Sequence, residues 1–91
     1  MSVVETSLVI TNKVGLHARP ASVLVQTAAR FHSKIQALYG EKSANAKSML
    51  GVLKLGAASG ATIIVRADGD DAEQAIAALT DLVRRNFDEE E

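Results

Sequence analysis

The chain has 91 residues, of which 47% are hydrophobic and 3% aromatic, and its ten basic and eleven acidic residues give a formal net charge of -1. That length allows a single domain with one modest core, which the shortage of aromatics leaves to Val, Leu, Ile and Ala. The charge balance argues against a general nucleic-acid binder, which would carry a basic face, and the absence of cysteine excludes disulfides, thiol catalysis and cysteine-based zinc sites. No apolar run reaches the length of a membrane span, and the N-terminus lacks the charged-then-apolar pattern of a signal peptide. A cytoplasmic protein with no membrane insertion is expected.

In chain order, Val3 to Thr11 reads as a strand, with Val4, Leu8 and Ile10 on one face and Glu5, Ser7, Val9 and Thr11 on the other. Asn12-Lys13-Val14-Gly15 reads as the loop that follows. Ala21, Leu24, Val25, Ala28 and Phe31 recur at helical spacing, which predicts a helix over Ala18 to Phe31 with Ser22, Gln26 and Arg30 on its polar side. Alternation from Lys34 to Tyr39 predicts a second strand, Gly40-Glu41 a tight turn, and Lys42 to Asn45 a short return strand. Ser48 is a good N-cap for a short helix over Met49 to Leu55, although Gly51 weakens it.

After the small-residue loop Gly56 to Gly60, Ala61 to Ala67 reads as the last strand. Asp70, followed three residues later by Glu73, resembles a capping box for a final helix. That helix places Ala72, Ile76, Leu79, Leu82 and Val83 at helical spacing, and is expected to end near Arg85 with Arg84 and Arg85 at the negative end of its dipole. Phe87 is placed in the core and Asp88 to Glu91 in a frayed acidic tail. The order βαββαβα, without linker or repeat, implies one α+β domain over the whole chain. Its natural packing is a four-stranded antiparallel sheet with helices covering one face.

The chemistry concentrates in Gly15-Leu16-His17-Ala18-Arg19-Pro20-Ala21. His17 falls at or next to the N-cap of the first helix, where backbone N–H groups without partners and the positive end of the dipole attract anions. Proline is tolerated in that first turn. A bare reading of such a histidine is a polar cap beside a solvated arginine. His32, just past the helix end, is assigned no chemistry. Two histidines without cysteine or spaced carboxylates make no metal site, and no cofactor is implied.

The heptapeptide resembles the active-site signature of HPr, the histidine-containing phosphocarrier family of the bacterial phosphotransferase system. Lys47-Ser48-Met49-Leu50-Gly51-Val52 resembles the same family's regulatory-serine segment, at the matching separation. The resemblance implies an open-faced β-sandwich with three helices on one side of the sheet. It implies that Nδ1 of His17 accepts a phosphoryl group from Enzyme I, which draws it from phosphoenolpyruvate, and passes it to IIA domains of sugar permeases. The chain would then be a carrier with a phosphohistidine intermediate, and not an independent enzyme. In hosts that have them, HPr kinase/phosphorylase would phosphorylate Ser48 and a catabolite-control repressor would bind the product.

The residues fit such a relay on their own terms. Imidazole is nucleophilic near neutral pH, and the incoming phosphate would meet N–H groups of Ala18 and Arg19 and the Arg19 guanidinium. Ser48 needs no role beyond capping, but a phosphate there would add about 1.5 to 2 negative charges near a partner surface that welcomes Arg19. Val52 and Leu55 are expected in the core, leaving Met49, Leu50 and Leu53 partly exposed for docking. A monomer is expected. Competing readings are a nitrogen-branch paralogue with the same chemistry, a regulatory binding module acting through Ser48, and a small-ligand-binding βαββαβ domain.

Overall fold

The strands and helices follow one another as β1 (Val3–Val9), α1 (Ala18–Ala29), β2 (Lys34–Tyr39), β3 (Lys42–Asn45), α2 (Met49–Leu55), β4 (Thr62–Asp68) and α3 (Ala72–Arg84) in a computed structural model that describes residues 3–88. The strands form one antiparallel sheet in the order β1-β4-β2-β3, so the last strand inserts between the first two. Alternation decides which face is covered. Leu8, Ile35, Ala37, Ile63, Val65 and Ala67 are buried, while Glu5, Ser7, Lys34, Gln36, Thr62 and Arg66 are exposed on the opposite face. Register sets Glu5 beside Arg66 on that open face, where they form a 2.8 Å ion pair.

The helices close the other side. Pro20, Ala21, Leu24 and Ala28 of α1, Val52 and Leu55 of α2, and Ala72, Ala75, Ile76, Leu79, Leu82 and Val83 of α3 are all buried. Small alanines on these faces let the helices lie close to a core built from aliphatic side chains. The expected α+β architecture, an open-faced sandwich of a four-stranded antiparallel sheet and three helices, is therefore the observed one.

Four elements differ in their bounds from the sequence expectation, and so does the start of the tail. β1 stops at Val9, because Ile10 exchanges backbone hydrogen bonds with Ala61 and Gly60 outside the regular ladder. α1 ends at Ala29, short of Phe31, and β4 runs one residue later than predicted. The cap of α3 is Asp71, not Asp70, and its carboxylate makes no capping bond. Asp88 is not frayed: it pairs with Arg85 in a left-handed turn over Asn86–Asp88 that carries Phe87 into the core, as predicted for Phe87. The remainder of the predicted tail, 89–91, lies outside the described residues.

Asp71 is occupied elsewhere. One carboxylate oxygen accepts the His32 N–H at 2.8 Å; the other accepts the Ser33 N–H at 2.9 Å and the Ser33 hydroxyl at 2.5 Å. These bonds join the start of α3 to the segment that leaves α1. They favour the ionised form and hold the carboxyl at about 2, below its ordinary 3.8, with the Ser33 hydroxyl the largest cause and the His32 N–H next. A group whose folded value is depressed contributes stability that is fully present above its unfolded value and is lost as pH falls through the folded one. Urea titrations of the wild type should therefore show this contribution intact above about pH 4 and fading toward about pH 2. Asp71→Asn should be less stable near neutral pH, with the gap to wild type closing over that acid window; a gap independent of pH would contradict the assignment.

Candidate functional site

Asn12 opens a four-residue turn in which the Gly15 N–H donates to the Asn12 carbonyl at 3.3 Å. Asn at the first position and Gly at the fourth suit such a turn. The Asn12 side chain is fully buried, and its Nδ2 donates to the Gly15 carbonyl at 2.9 Å. Gly15 adopts φ +66°, and a Cβ there would lie 2.7 Å from the Ala57 carbonyl oxygen and from Ala58 Cα. The next N–H, of buried Leu16, donates to the Ala57 carbonyl at 2.9 Å. The loop is thus pressed onto the segment that follows α2.

His17 comes next and is the N-cap of α1, with extended φ and ψ and its carbonyl accepting the Ala21 N–H at 2.8 Å. The ring is exposed and makes no capping hydrogen bond, which sets aside the bare reading of a capping histidine. Ala18 and Arg19 supply first-turn N–H groups that an α-helix leaves unpaired, while Pro20 has none to supply. No acidic residue stands in that first turn to offset the positive end of the helix. The Arg19 guanidinium is exposed and takes part in none of the ion pairs among the described residues, which join Glu5 to Arg66 and Arg85 to Asp81 and Asp88. The arrangement offers a reachable ring nitrogen, two backbone donors and an uncommitted cation on one helix end.

A depression of about 360 Å³ beside the ring is lined by Val14, Leu16, His17 and Ala18 on one side and by Leu53, Gly56 and Ala57 on the other. The structure thus brings His17 and Ala18 together with Leu53 of α2. Leu50 is 64% exposed and Leu53 38%, while Met49 is half-buried against the core, so all three keep some accessible surface as expected. Ser48 is half-buried at the N-cap of α2, and its hydroxyl accepts the Gly51 N–H at 3.2 Å. Gly51, which weakens the helix on propensity, has little room for a side chain: a Cβ would come to 3.3 Å from Ala44 Cβ and from the Ser48 hydroxyl.

A larger concavity of about 750 Å³ lies on the uncovered side of the sheet, among residues such as Glu5, Lys34, Gln36 and Arg66, and contains none of the predicted site residues. Of the predicted site residues, His17, Ala18 and Leu53 line the smaller one, and Arg19 and Ser48 are not among its lining. Among the described residues no cluster of three or more His, Asp or Glu could hold a metal ion, and no helix is long and apolar enough to cross a membrane. Sequence reasoning passed over Asn12 and the Gly15–Ala57 contact. The Asn-x-x-Gly turn signal marks the first, but nothing in the sequence marks the second.

Comparisons with known proteins agree on one family. A family model described as the phosphotransferase-system HPr component phosphorylation site matches residues 4–85. The phosphocarrier protein HPr of Mycoplasma capricolum is 49% identical over 73 residues, covering 80% of this chain and 82% of that one. Among solved structures, an HPr from Thermoanaerobacter tengcongensis superposes with a TM-score of 0.93 at 46% identity, covering 97% of this chain and 99% of that chain. An HPr from Bacillus anthracis superposes with a TM-score of 0.85 at 38% identity, covering 89% and 96% respectively.

The contact at Gly15 has a measurable cost. Gly15→Ala combines a left-handed backbone with a collision against Ala57 and Ala58, and should destabilise the fold by about 1–3 kcal/mol. Gly40→Ala is the control, because Gly40 has a similar φ of +61° but open space around its Cβ position. Equal losses for the two variants in chemical denaturation would show that the close approach contributes nothing.

Proposed function

The chain belongs to the HPr phosphocarrier family of the phosphotransferase system, and from that premise we propose that it relays phosphoryl groups on His17. Nδ1 of His17 forms a bond to phosphorus as the bond to phospho-Enzyme I breaks, and the group later leaves to a IIA domain of a sugar permease. The observation that carries this reading is the exposed His17 ring, free of any capping bond, at the bare N-terminus of α1. There the N–H groups of Ala18 and Arg19 meet the phosphate oxygens and the Arg19 guanidinium neutralises their charge. Among the described residues no other charged side chain lines the depression beside His17, which suits a carrier: cargo held by too many contacts would not leave. The cytoplasm is the proposed setting, since donor and acceptor domains act there.

The same reading gives Leu53, Leu50 and Met49 the role of an apolar docking patch next to the reactive ring. It makes Ser48 a regulatory phosphosite for HPr kinase, in hosts that encode it, with a catabolite-control repressor as reader of the phosphorylated form. A phosphate at Ser48 adds negative charge at the N-terminus of α2, where it suits the helix, so its effect falls on partners and not on the fold.

Incubation with Enzyme I and phosphoenolpyruvate should label the protein with an acid-labile, base-stable phosphate that His17→Ala abolishes; label persisting in that variant would refute the site. Arg19→Ala should slow transfer by about tenfold or more, and Arg19→Lys should recover part of it by restoring charge without the guanidinium fork. HPr kinase and ATP should give an acid-stable phosphate that Ser48→Ala removes. Ser48→Asp should slow acceptance from Enzyme I through like-charge repulsion, by about tenfold; an unchanged rate would count against the shared docking surface.

A further inference from the structure

We infer that Asn12 is a positioning residue of the relay, fixing the backbone that presents His17. The inference rests on the relay reading above and adds a residue outside the signature heptapeptide. Asn12 is a polar side chain with no exposed surface, located in a loop beside the reactive histidine. A turn-opening asparagine needs no such burial, because its backbone alone accepts the turn-closing bond from Gly15.

The reason lies in one peptide unit. The Gly15 carbonyl accepts from Asn12 Nδ2 at 2.9 Å, and the Leu16 N–H of the same peptide plane donates to the Ala57 carbonyl at 2.9 Å. A peptide unit is planar and rigid, so holding it by both its oxygen and its hydrogen sets its orientation. His17 is the residue after Leu16. On its other side its own carbonyl is held by the Ala21 N–H at 2.8 Å. The backbone at His17 is therefore anchored upstream through Asn12 and downstream through the first helical bond, while the ring makes no capping bond. With no capping bond on the ring, its place relative to the helix amides depends on where the backbone puts it. Without the amide, the Gly15–Leu16 peptide keeps one of its two restraints and can rotate, displacing His17 from the line of transfer. Small displacements of a reacting group lower rate far more than affinity.

The test compares wild type, Asn12→Ala and the isosteric Asn12→Asp in Enzyme I-dependent phosphorylation, varying carrier concentration. The saturating rate should fall by about tenfold with KM changed by less than about twofold, while far-UV circular dichroism stays at wild type. A carboxylate at position 12 faces the Gly15 carbonyl with no proton to donate, but the neutral acid can donate. The ratio of Asn12→Asp to wild-type rate should thus rise as pH is lowered from about 8 to about 5, which a loss of packing alone would not produce. A saturating rate equal to wild type in a folded variant, a loss confined to KM, or a pH-independent ratio overturns the proposal. So does loss of the fold in both variants, which would make Asn12 a stability determinant only. If the wild type itself takes no label on His17, the relay reading fails first; if it does and the variants match it, only the role of Asn12 fails.

Discussion

The contact between the loop that carries His17 and the segment after α2 is the constraint on which the functional architecture depends. Gly15 lies so close to Ala57 and Ala58 that no side chain fits between them, and the Leu16 N–H closes the gap with a hydrogen bond to Ala57. α2 is itself fixed beneath, through buried Val52 and Leu55 and a left-handed Gly56 at its C-terminus. The shared depression of His17 and Leu53 follows from backbone meeting backbone, and the identity of the exposed side chains plays little part in it. Side chains around the depression are then free to suit partners without disturbing the geometry that presents the ring.

The two ends of α1 are treated in opposite ways. At the C-terminal end, the Lys47 ammonium donates to the Phe31 carbonyl at 2.6 Å, while Asp71 gathers the N–H groups of His32 and Ser33. Polar groups of the segment that leaves the helix thus find partners from the β3–α2 connection and from the start of α3, far away in sequence. At the N-terminal end no side chain caps the helix and no acidic residue stands in the first turn. The first turn can stay uncapped because buried Pro20 and Ala21, and not a capping bond, hold it in place. An anion arriving there completes a set of donors already held in place.

Most of this was legible where the relevant forces are local. Period-two alternation placed three strands and the Gly40-Glu41 turn the short fourth, 3.6-residue periodicity placed α1 and α3, and the Ser48 cap marked α2 despite Gly51. Reading failed where a distant group competes for a local one. Asp70-x-x-Glu73 satisfies the capping rule, yet Asp71 is the cap, and its carboxylate has been claimed by His32 and Ser33 from the end of α1. The turn over Asn86–Asp88 was equally hidden. Three consecutive residues there have φ of +52° to +61°, which costs each side-chain-bearing residue about 1–2 kcal/mol. It persists because Phe87 enters the core, Arg85 pairs with Asp88, and Asn86 accepts the Thr11 hydroxyl at 2.5 Å. At the candidate site, motifs single out His17, Arg19 and Ser48, whereas the packing of Gly15 on Ala57 joins positions that no sequence pattern connects.

The contrast between the two helix starts bears on what each residue is able to do. At α1 the cap is an imidazole that leaves the first-turn N–H groups unclaimed, so a phosphate on the ring gains donors without displacing anything. At α2 the cap is a serine whose hydroxyl already accepts the Gly51 N–H. A phosphate on that oxygen inherits a donor in use and must keep it satisfied, which a group with three further acceptor oxygens does readily. On the proposed relay, the first start can gain and lose a group with little change in the fold. The second also favours an attached phosphate, since the helix dipole and the Gly51 N–H act in the same direction. On the proposed relay, a transient mark on His17 and a persistent one on Ser48 would follow from the bonds themselves, a P–N bond of high transfer potential against a phosphate ester, and not from the two caps, which both favour the anion.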